Sequence, residues 1–128
     1  MLVTKINMYD KILPKDSKVE IQVDSGVSAG TEYSSVQEPD SGYKFCISYF
    51  KLTVPEEVEA NVIVQTEKGE TTLLSENVTN DTVIIDASDF AGLDYLSSFT
   101  LYVKVTTDTT DTRTVTLEYG GKQVIPYI

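Results

Sequence analysis

The sequence predicts an all-β protein, a two-sheet antiparallel β-sandwich that is jelly-roll-like and has roughly eight or nine strands. Three observations predict this class. Apolar and polar residues alternate with a period of two in several segments. Turn-forming residues separate these segments at intervals of about 8 to 12 residues. Helical patterns are scarce, and the best of them, around Ser88 to Leu96, is interrupted by Gly92.

The clearest strands lie near the two ends of the chain. In residues 18–24, Val19, Ile21 and Val23 alternate with polar residues, so one face of this strand is expected to be buried. Residues 99–106 and 113–119 alternate in the same way and are joined by a polar loop. Further strands are predicted over residues 3–9, 43–54, 61–66, 71–74, 82–86 and 123–125.

Dipeptides that contain glycine, and one segment without a strand pattern, predict how the strands are connected. Lys68-Gly69 is expected to close a hairpin, and Gly120-Gly121 is expected to turn the chain into a final strand. Residues 25–42 carry no strand pattern, which predicts a long loop that is either functional or mobile. The strand order cannot be derived from the alternation, so both a jelly roll and an immunoglobulin-like sandwich remain open.

The charge balance restricts the partners of the chain. The 128 residues, expected to form one domain, contain 20 acidic and 10 basic residues, a net charge of −10, which argues against nucleic-acid binding. Four lysines fall within the first 18 residues, whereas no base lies between Gly69 and Val103. This separation predicts either an ordinary solvated acidic surface or a basic patch that meets the acidic body of a neighbouring copy. No apolar stretch is long enough for a membrane span and no secretory signal is recognisable, so we expect no membrane partner.

The residue types argue against catalysis. The chain has no histidine, which removes the common nucleophilic triads and most catalytic zinc sites, and it has no phosphate-binding glycine loop. A glycoside hydrolase needs two facing carboxylates, and a sequence with this many acids gives no specific sign of such a pair. Cys46 lies in an apolar stretch and is expected to be buried and inert. The sequence therefore predicts a non-enzymatic protein.

Calcium is the one metal that the sequence suggests. Asp108 and Asp111 share a loop, and Asp86 and Asp89 share another, and such loops can supply the oxygen ligands that calcium takes. The alternative is that aspartate serves there as an ordinary turn residue. No other cofactor is expected.

Two sets of residues are candidates for binding larger partners. Sugars bind by stacking on exposed aromatic rings, and Tyr33, Tyr43 and Tyr95 lie in or beside predicted loops, whereas Tyr102 and Tyr119 are expected to be half-buried within strands. The C-terminal segment stays apolar to its last residue. It is expected either to pack on its own domain as a final edge strand, with Pro126 preventing further pairing at that edge, or to dock on a neighbouring subunit. The docking residues would be Val124, Ile125, Tyr127 and Ile128.

The part of the chain from Val83 to Tyr119 resembles the second half of jelly-roll modules of the galactose-binding and carbohydrate-binding type. In these modules a short strand ending in aspartate, here at Asp86, leads through a one-turn segment into a long strand, a polar loop and a closing strand. The resemblance implies a module of the kind found in the fibres, baseplates and capsid decorations of tailed phages. We therefore expect a virion structural protein, a capsid decoration or a head-fibre or tail component. The alternatives are a carbohydrate-binding module, a bacterial surface or pilus-like subunit, and a hydrolase. The expected location is the virion, or otherwise the cytoplasm or cell surface.

Overall fold

The computed structural model describes residues 9–86 and 93–126, and all regular secondary structure within these ranges is β-strand. Nine strands are present in the described ranges. They are β1 Lys11–Ile12, β2 Lys18–Val23, β3 Glu32–Gln37, β4 Lys44–Val54, β5 Val58–Thr66, β6 Gly69–Thr72, β7 Asp81–Asp86, β8 Ser98–Val105 and β9 Arg113–Val124. The strands predicted over residues 18–24, 43–54, 61–66, 82–86, 99–106 and 113–119 are all present. The predicted strand over residues 3–9 falls almost entirely outside the described residues, as does much of the single turn around Ser88.

The strands form two antiparallel sheets that pack into a sandwich. In sheet A, β1 and β2 both pair with β9, which pairs with β4, which pairs with β7. In sheet B the order is β3, β8, β5, β6. The sequence therefore correctly predicts an all-β, two-sheet antiparallel sandwich.

The strand order decides between the two sandwich types that the sequence left open. Because β1 and β2 lie beside different parts of β9, they act as one interrupted strand. In the described residues the chain then alternates between the sheets, except at the β5–β6 hairpin. Such alternation produces the two Greek keys of a jelly roll, whereas an immunoglobulin-like sandwich joins several consecutive strands within one sheet.

The core lies between the sheets and is built from the alternation seen in the sequence. In β8 every second residue is buried, from Phe99 to Val105, and β2 buries Val19, Ile21 and Val23. Phe99 is the centre of an aromatic cluster, with its ring centroid 4.8 Å from that of Tyr119 and about as close to those of Phe45 and Phe50. Both sheets therefore share one hydrophobic core.

The prediction that residues 25–42 form one long loop is wrong, because β3 lies within it and pairs with β8. The sequence hides β3 because it is an edge strand of sheet B. Its inward-facing residues Tyr33, Ser35 and Gln37 are mostly polar and only half-buried, so it lacks the apolar alternation of a core strand.

The predicted turn at Gly120-Gly121 is also wrong. β9 runs without interruption from Arg113 to Val124 beside β4, and the pairing register shifts between Ile47 and Tyr49 of β4. Gly121 has φ = +139°, and a Cβ there would overlap with the carbonyl oxygen of Cys46. The two glycines therefore accommodate a β-bulge and a close approach of two backbones.

The predicted hairpin at Lys68-Gly69 is confirmed. Thr66 pairs with Gly69 across a two-residue turn, and Gly69 has φ = +123°. A positive φ at this position explains why glycine directly follows the two turn residues. The hairpin brings β6 to the edge of sheet B and exposes Glu67 and Lys68 at one end of the sandwich.

Candidate functional site

An open cleft lies at the end of the sandwich where β5 and β9 end and β4 begins. Its volume is ≈ 580 Å³, within the range of small-ligand sites. It receives side chains from both sheets and from the segment that follows β7. The lining residues are Lys44, Thr66, Glu67, Lys68, Asp94, Tyr95 and Pro126.

Residues 93–97 cross from one sheet to the other and form one wall of this cleft. The backbone N–H groups of Phe45 and Ile47 donate to the carbonyl oxygens of Leu96 and Leu93, and the Ser97 N–H donates to the carbonyl of Gln65. Leu93 and Leu96 are buried in the core. The residues between them must therefore point away from the core, and Asp94 and Tyr95 are exposed.

The backbone at Tyr95 is in the left-handed region, with φ = +57°. This conformation is uncommon for an aromatic residue and is held by the hydrogen bonds on both sides of it. The Tyr95 side chain is 55% exposed. An exposed, positioned aromatic ring in a cleft is the surface on which the apolar face of a sugar can stack.

The opposite wall is the β5–β6 turn. The Thr66 hydroxyl oxygen accepts a hydrogen bond from the Lys68 N–H at 3.2 Å, and the hydroxyl donates to the Gly69 carbonyl at 3.4 Å. These contacts hold the turn against the end of β5. The exposed Lys68 side chain is therefore carried by a fixed backbone.

The ammonium groups of Lys44 and Lys68 are two of four cations, among nine bases in the described residues, that form no ion pair with a carboxylate. Five bases form ion pairs with carboxylates, namely Lys11, Lys18, Lys51, Arg113 and Lys122. In residues 9–86 and 93–126, neither Lys44 nor Lys68 has an ion-pair partner, although acids outnumber bases two to one in the sequence. Two unpaired cations thus lie on the lining of one cleft.

The three predicted sugar-binding tyrosines do not converge. Tyr95 lines the cleft, whereas Tyr33 pairs with Val103 of β8, in the half of sheet B away from the cleft, and is half-buried against the core. The Lys11 ammonium lies 4.4 Å from the centroid of the Tyr43 ring and occupies one face of it. Tyr102 and Tyr119 are half-buried within strands, as predicted.

The predicted docking residues at the C-terminus also separate. Val124 is the last residue of β9, pairs with Lys44 and is buried, which fits the alternative of packing on its own domain, and its docking role stays a prediction. Ile125 is half-buried. Tyr127 and Ile128 lie outside the described residues, so their docking role stays a prediction.

Cys46 is not fully buried, contrary to the prediction. It lies between the buried Phe45 and Ile47, so its side chain points to the outer face of sheet A, where it is half-buried. It lines a shallow, mostly apolar hollow together with Ile12 and Gly121. Burial raises the pKa of the Cys46 thiol, which keeps it in the protonated, less reactive form.

The predicted calcium residues lie at the opposite end of the sandwich. An Asp108 carboxylate oxygen accepts a hydrogen bond from the Ala29 N–H at 2.9 Å, and an Asp111 carboxylate oxygen accepts one from the Thr112 N–H at 2.8 Å. The part of the chain that the structure describes contains no cluster of three or more metal-ligating side chains. These contacts fit the turn role of aspartate, and calcium binding stays a prediction. Asp89, of the second pair, lies outside the described residues.

A network centred on Glu57 also braces that end. One Glu57 carboxylate oxygen accepts hydrogen bonds from the Thr110 N–H at 3.0 Å and from the Arg113 guanidinium, whose nearest nitrogen is 2.7 Å away. The hydrogen bond from the Thr110 backbone, followed by that from Arg113, lowers the pKa of Glu57. These partners give Glu57 a structural role in holding the loops together.

The edge strand β7 is a second candidate interaction site. One of its edges pairs with β4, and no described strand pairs with the other edge. Ile84 lies opposite Lys51 and is 63% exposed. Neither β7 nor residues 73–80 before it contain a base, whereas Glu76, Asp81 and Asp86 are acidic. The strand therefore combines an edge that no other strand of residues 9–86 and 93–126 covers, an exposed isoleucine and negative charge.

Sequence reasoning found Tyr95 but missed Lys44, Lys68 and the other residues of the cleft. These residues lie far apart in the chain, and it is the order of strands in the two sheets that brings them to one end. The predicted hairpin turn at Lys68 was the one local signal that could have pointed there. Within residues 9–86 and 93–126, no helix is long and apolar enough to cross a lipid bilayer.

Comparison with known proteins gives no family. No protein-family model matches the chain, and no curated protein matches it. A chain in the solved structure of infectious bursal disease virus, Gt strain, is similar at 11% sequence identity and a TM-score of 0.28. The match covers 90% of this chain and 32% of that chain, so this protein spans about a third of the length of its neighbour. At this identity and TM-score the likeness indicates nothing about function.

Proposed function

We propose that this protein is a non-enzymatic structural component of a virion, a capsid decoration or a head-fibre or tail component, that assembles through its β7 edge. The observation that carries the proposal is the outer edge of β7, with which no strand in the described part of the chain pairs, and the exposed Ile84 beside it. The virion setting is supported by the jelly-roll strand order together with the resemblance of the segment from Val83 to Tyr119 to phage jelly-roll modules.

An edge strand can accept an additional strand from another chain, because its outward N–H and C=O groups need partners. The added strand would gain main-chain hydrogen bonds to β7 and apolar contact with Ile84. Since β7 begins and ends with aspartate, pairing two β7 strands antiparallel would bring like charges together. The partner strand is therefore a segment of another virion subunit that carries lysine or arginine beside apolar residues.

The proposal is tested on particles purified from the virus that encodes this chain. Mass spectrometry should find the chain in the particles at a repeated, stoichiometric copy number, and its absence would contradict the proposal. Ile84→Lys should reduce incorporation by about tenfold or more, because it places a flexible cation at the centre of the apolar contact.

A matched control separates the β7 edge from general surface effects. Val36 is 54% exposed on β3, an edge strand of the other sheet. Val36→Lys should leave incorporation unchanged, and both variants should keep the circular dichroism spectrum of the parent. If both variants lost incorporation to the same extent, the β7 edge would not be the surface through which the protein assembles.

A carbohydrate-binding module is the second candidate, and the observation that favours it is Tyr95 in the cleft. Binding of the parent protein to a glycan array, lost in Tyr95→Asn, would support it. Asparagine is chosen because it tolerates the left-handed backbone at this position, so the variant removes the ring with little added strain. An array without any bound glycan would contradict this candidate.

A further inference from the structure

We infer that the cleft between Tyr95 and the β5–β6 turn binds a sugar that carries a carboxylate, such as a uronic or sialic acid residue within a glycan. This inference rests on the second candidate function and names its ligand class. The juxtaposition that carries it is an exposed, positioned tyrosine ring and two lysines without ion-pair partners among the described residues, all lining one cleft.

The charges of the cleft explain the choice of an anionic sugar. Of the four bases in the described residues that form no ion pair, Lys44 and Lys68 are the two that line this cleft. Lys44 and Lys68 retain their hydrogen-bonding capacity, because each ammonium can donate three hydrogen bonds and no described carboxylate accepts them. A ligand carboxylate can supply the missing acceptor.

Two carboxylates, those of Glu67 and Asp94, also line the cleft and suit the hydroxyl groups of the same sugar. Asp94 is exposed on the wall that carries Tyr95, and a carboxylate accepts hydrogen bonds from sugar hydroxyls. Glu67 and Asp94 also repel an anion, so they disfavour a ligand that carries several negative charges. The arrangement thus selects a molecule that has one acidic group near the lysines and hydroxyl groups elsewhere.

The lysines and the ring belong to different elements with fixed positions. Lys44 is the first residue of β4 and pairs with Val124 of β9. Lys68 is on the hairpin turn beside Gly69. Tyr95 is held by the hydrogen bonds of the bridge between Phe45 and Leu96. Because these attachment points are set by the backbone, binding requires ordering of the two lysine side chains and no rearrangement of the strands.

The test compares acidic oligosaccharides with their carboxyl-methylated counterparts, by isothermal titration calorimetry at low and high salt. The probes are oligomers of uronic acid, sialylated oligosaccharides and neutral oligosaccharides of the same length. We expect an acidic probe to bind, its affinity to fall by about tenfold or more when its carboxyl groups are methylated, and its binding to be weaker at high salt.

Variants assign this binding to the cleft. Lys44→Gln and Lys68→Gln should each lower the affinity for the acidic probe by about tenfold. Neither substitution should change the affinity for the methylated probe. Tyr95→Asn should lower the affinity for both probes, because ring stacking does not depend on ligand charge. Lys104→Gln is the matched control, since Lys104 also lacks an ion-pair partner among the described residues but lies on β8, outside the cleft lining.

The outcomes separate this inference from the function on which it rests. Binding of neutral and acidic probes with equal affinity would overturn the inference that the ligand carries a carboxylate, but it would support the carbohydrate-binding function. Binding of no probe would overturn both. Acidic binding that falls as much in Lys104→Gln as in Lys44→Gln would reflect a nonspecific charge effect and would also overturn the inference.

Discussion

The ring of Tyr49 lies directly over the backbone of Gly120 on the outer face of sheet A. A Cβ at residue 120 would be 3.1 Å from Cδ1 and 3.2 Å from Cζ of Tyr49, and nearer still to Cε1. Tyr49 and Gly120 are paired across β4 and β9, next to the bulge. An aromatic side chain that covers a strand glycine restores some of the packing that the glycine lacks.

Gly120→Ala should destabilise the fold by about 1–3 kcal/mol, because the new methyl group overlaps with the Tyr49 ring and forces it out of position. Chemical denaturation measures this loss. In a Tyr49→Ala background the overlap is gone, and alanine is a better strand residue than glycine. There the same substitution should be neutral or stabilising, and an equal loss in both backgrounds would contradict the role given to Tyr49.

Gly121→Ala should be more damaging, with a loss of about 2–5 kcal/mol. The Cβ would meet backbone atoms, the Cys46 carbonyl and the Ile47 Cα, which cannot rotate away as a side chain can. The φ of +139° adds strain for any residue other than glycine. Removing Tyr49 should bring no rescue, and a rescue equal to that at position 120 would show that the two glycines serve one purpose.

The alternation of apolar residues was sufficient to predict the sandwich, because strands such as β2 and β8 bury every second side chain. The same rule missed β3, whose position at an edge allows polar residues to face inward. It also misread Gly120-Gly121, since a bulge that accommodates close backbones and a reverse turn both select glycine. Lys44 and Lys68 could not be placed beside Tyr95, because alternation gives no information on which strand ends meet.

Thr109→Val should destabilise the loops at the end of the sandwich opposite the cleft by about 1–3 kcal/mol. Thr109 is buried, its hydroxyl donates to the Asp24 carbonyl at 2.6 Å, and the hydroxyl oxygen accepts from the Val27 N–H at 2.9 Å. Valine has nearly the same shape and leaves both backbone groups unsatisfied. Hydrogen exchange at the Val27 amide should accelerate, whereas Thr109→Ser should retain most of the protection.

Asn61→Ala should lower the free energy of unfolding by about 1–3 kcal/mol, because the buried Asn61 side chain holds the β6–β7 connection in place. Its side-chain amide donates to the Leu74 carbonyl and to the Asn77 side chain, and its carbonyl oxygen accepts from the N–H groups of Val62 and Leu74. Asn77→Ala removes one of these contacts and should cost less. Equal losses in thermal unfolding would show that Asn61 acts through Asn77 alone.

Tyr102 should titrate at unusually high pH. Its hydroxyl donates to the Glu32 carboxylate at 2.6 Å, and this hydrogen bond, reinforced by burial and by the negative charge, raises the pKa of Tyr102 to about 12. Because the ordinary value is 10.0, the folded state holds the phenol proton more tightly than the unfolded state does. The stability that this contact contributes is therefore fully present below pH 10 and is lost as the pH rises toward 12.

The measurement is a titration of phenolate absorbance, with Tyr102→Phe used to assign the late transition. In Glu32→Gln the negative charge is gone, so the pKa of Tyr102 should fall toward its ordinary value. Tyr119 provides the internal control, since burial alone raises its pKa and no carboxylate takes part. A Glu32→Gln variant in which the Tyr102 transition stays in place would assign the shift to burial and remove Glu32 from the explanation.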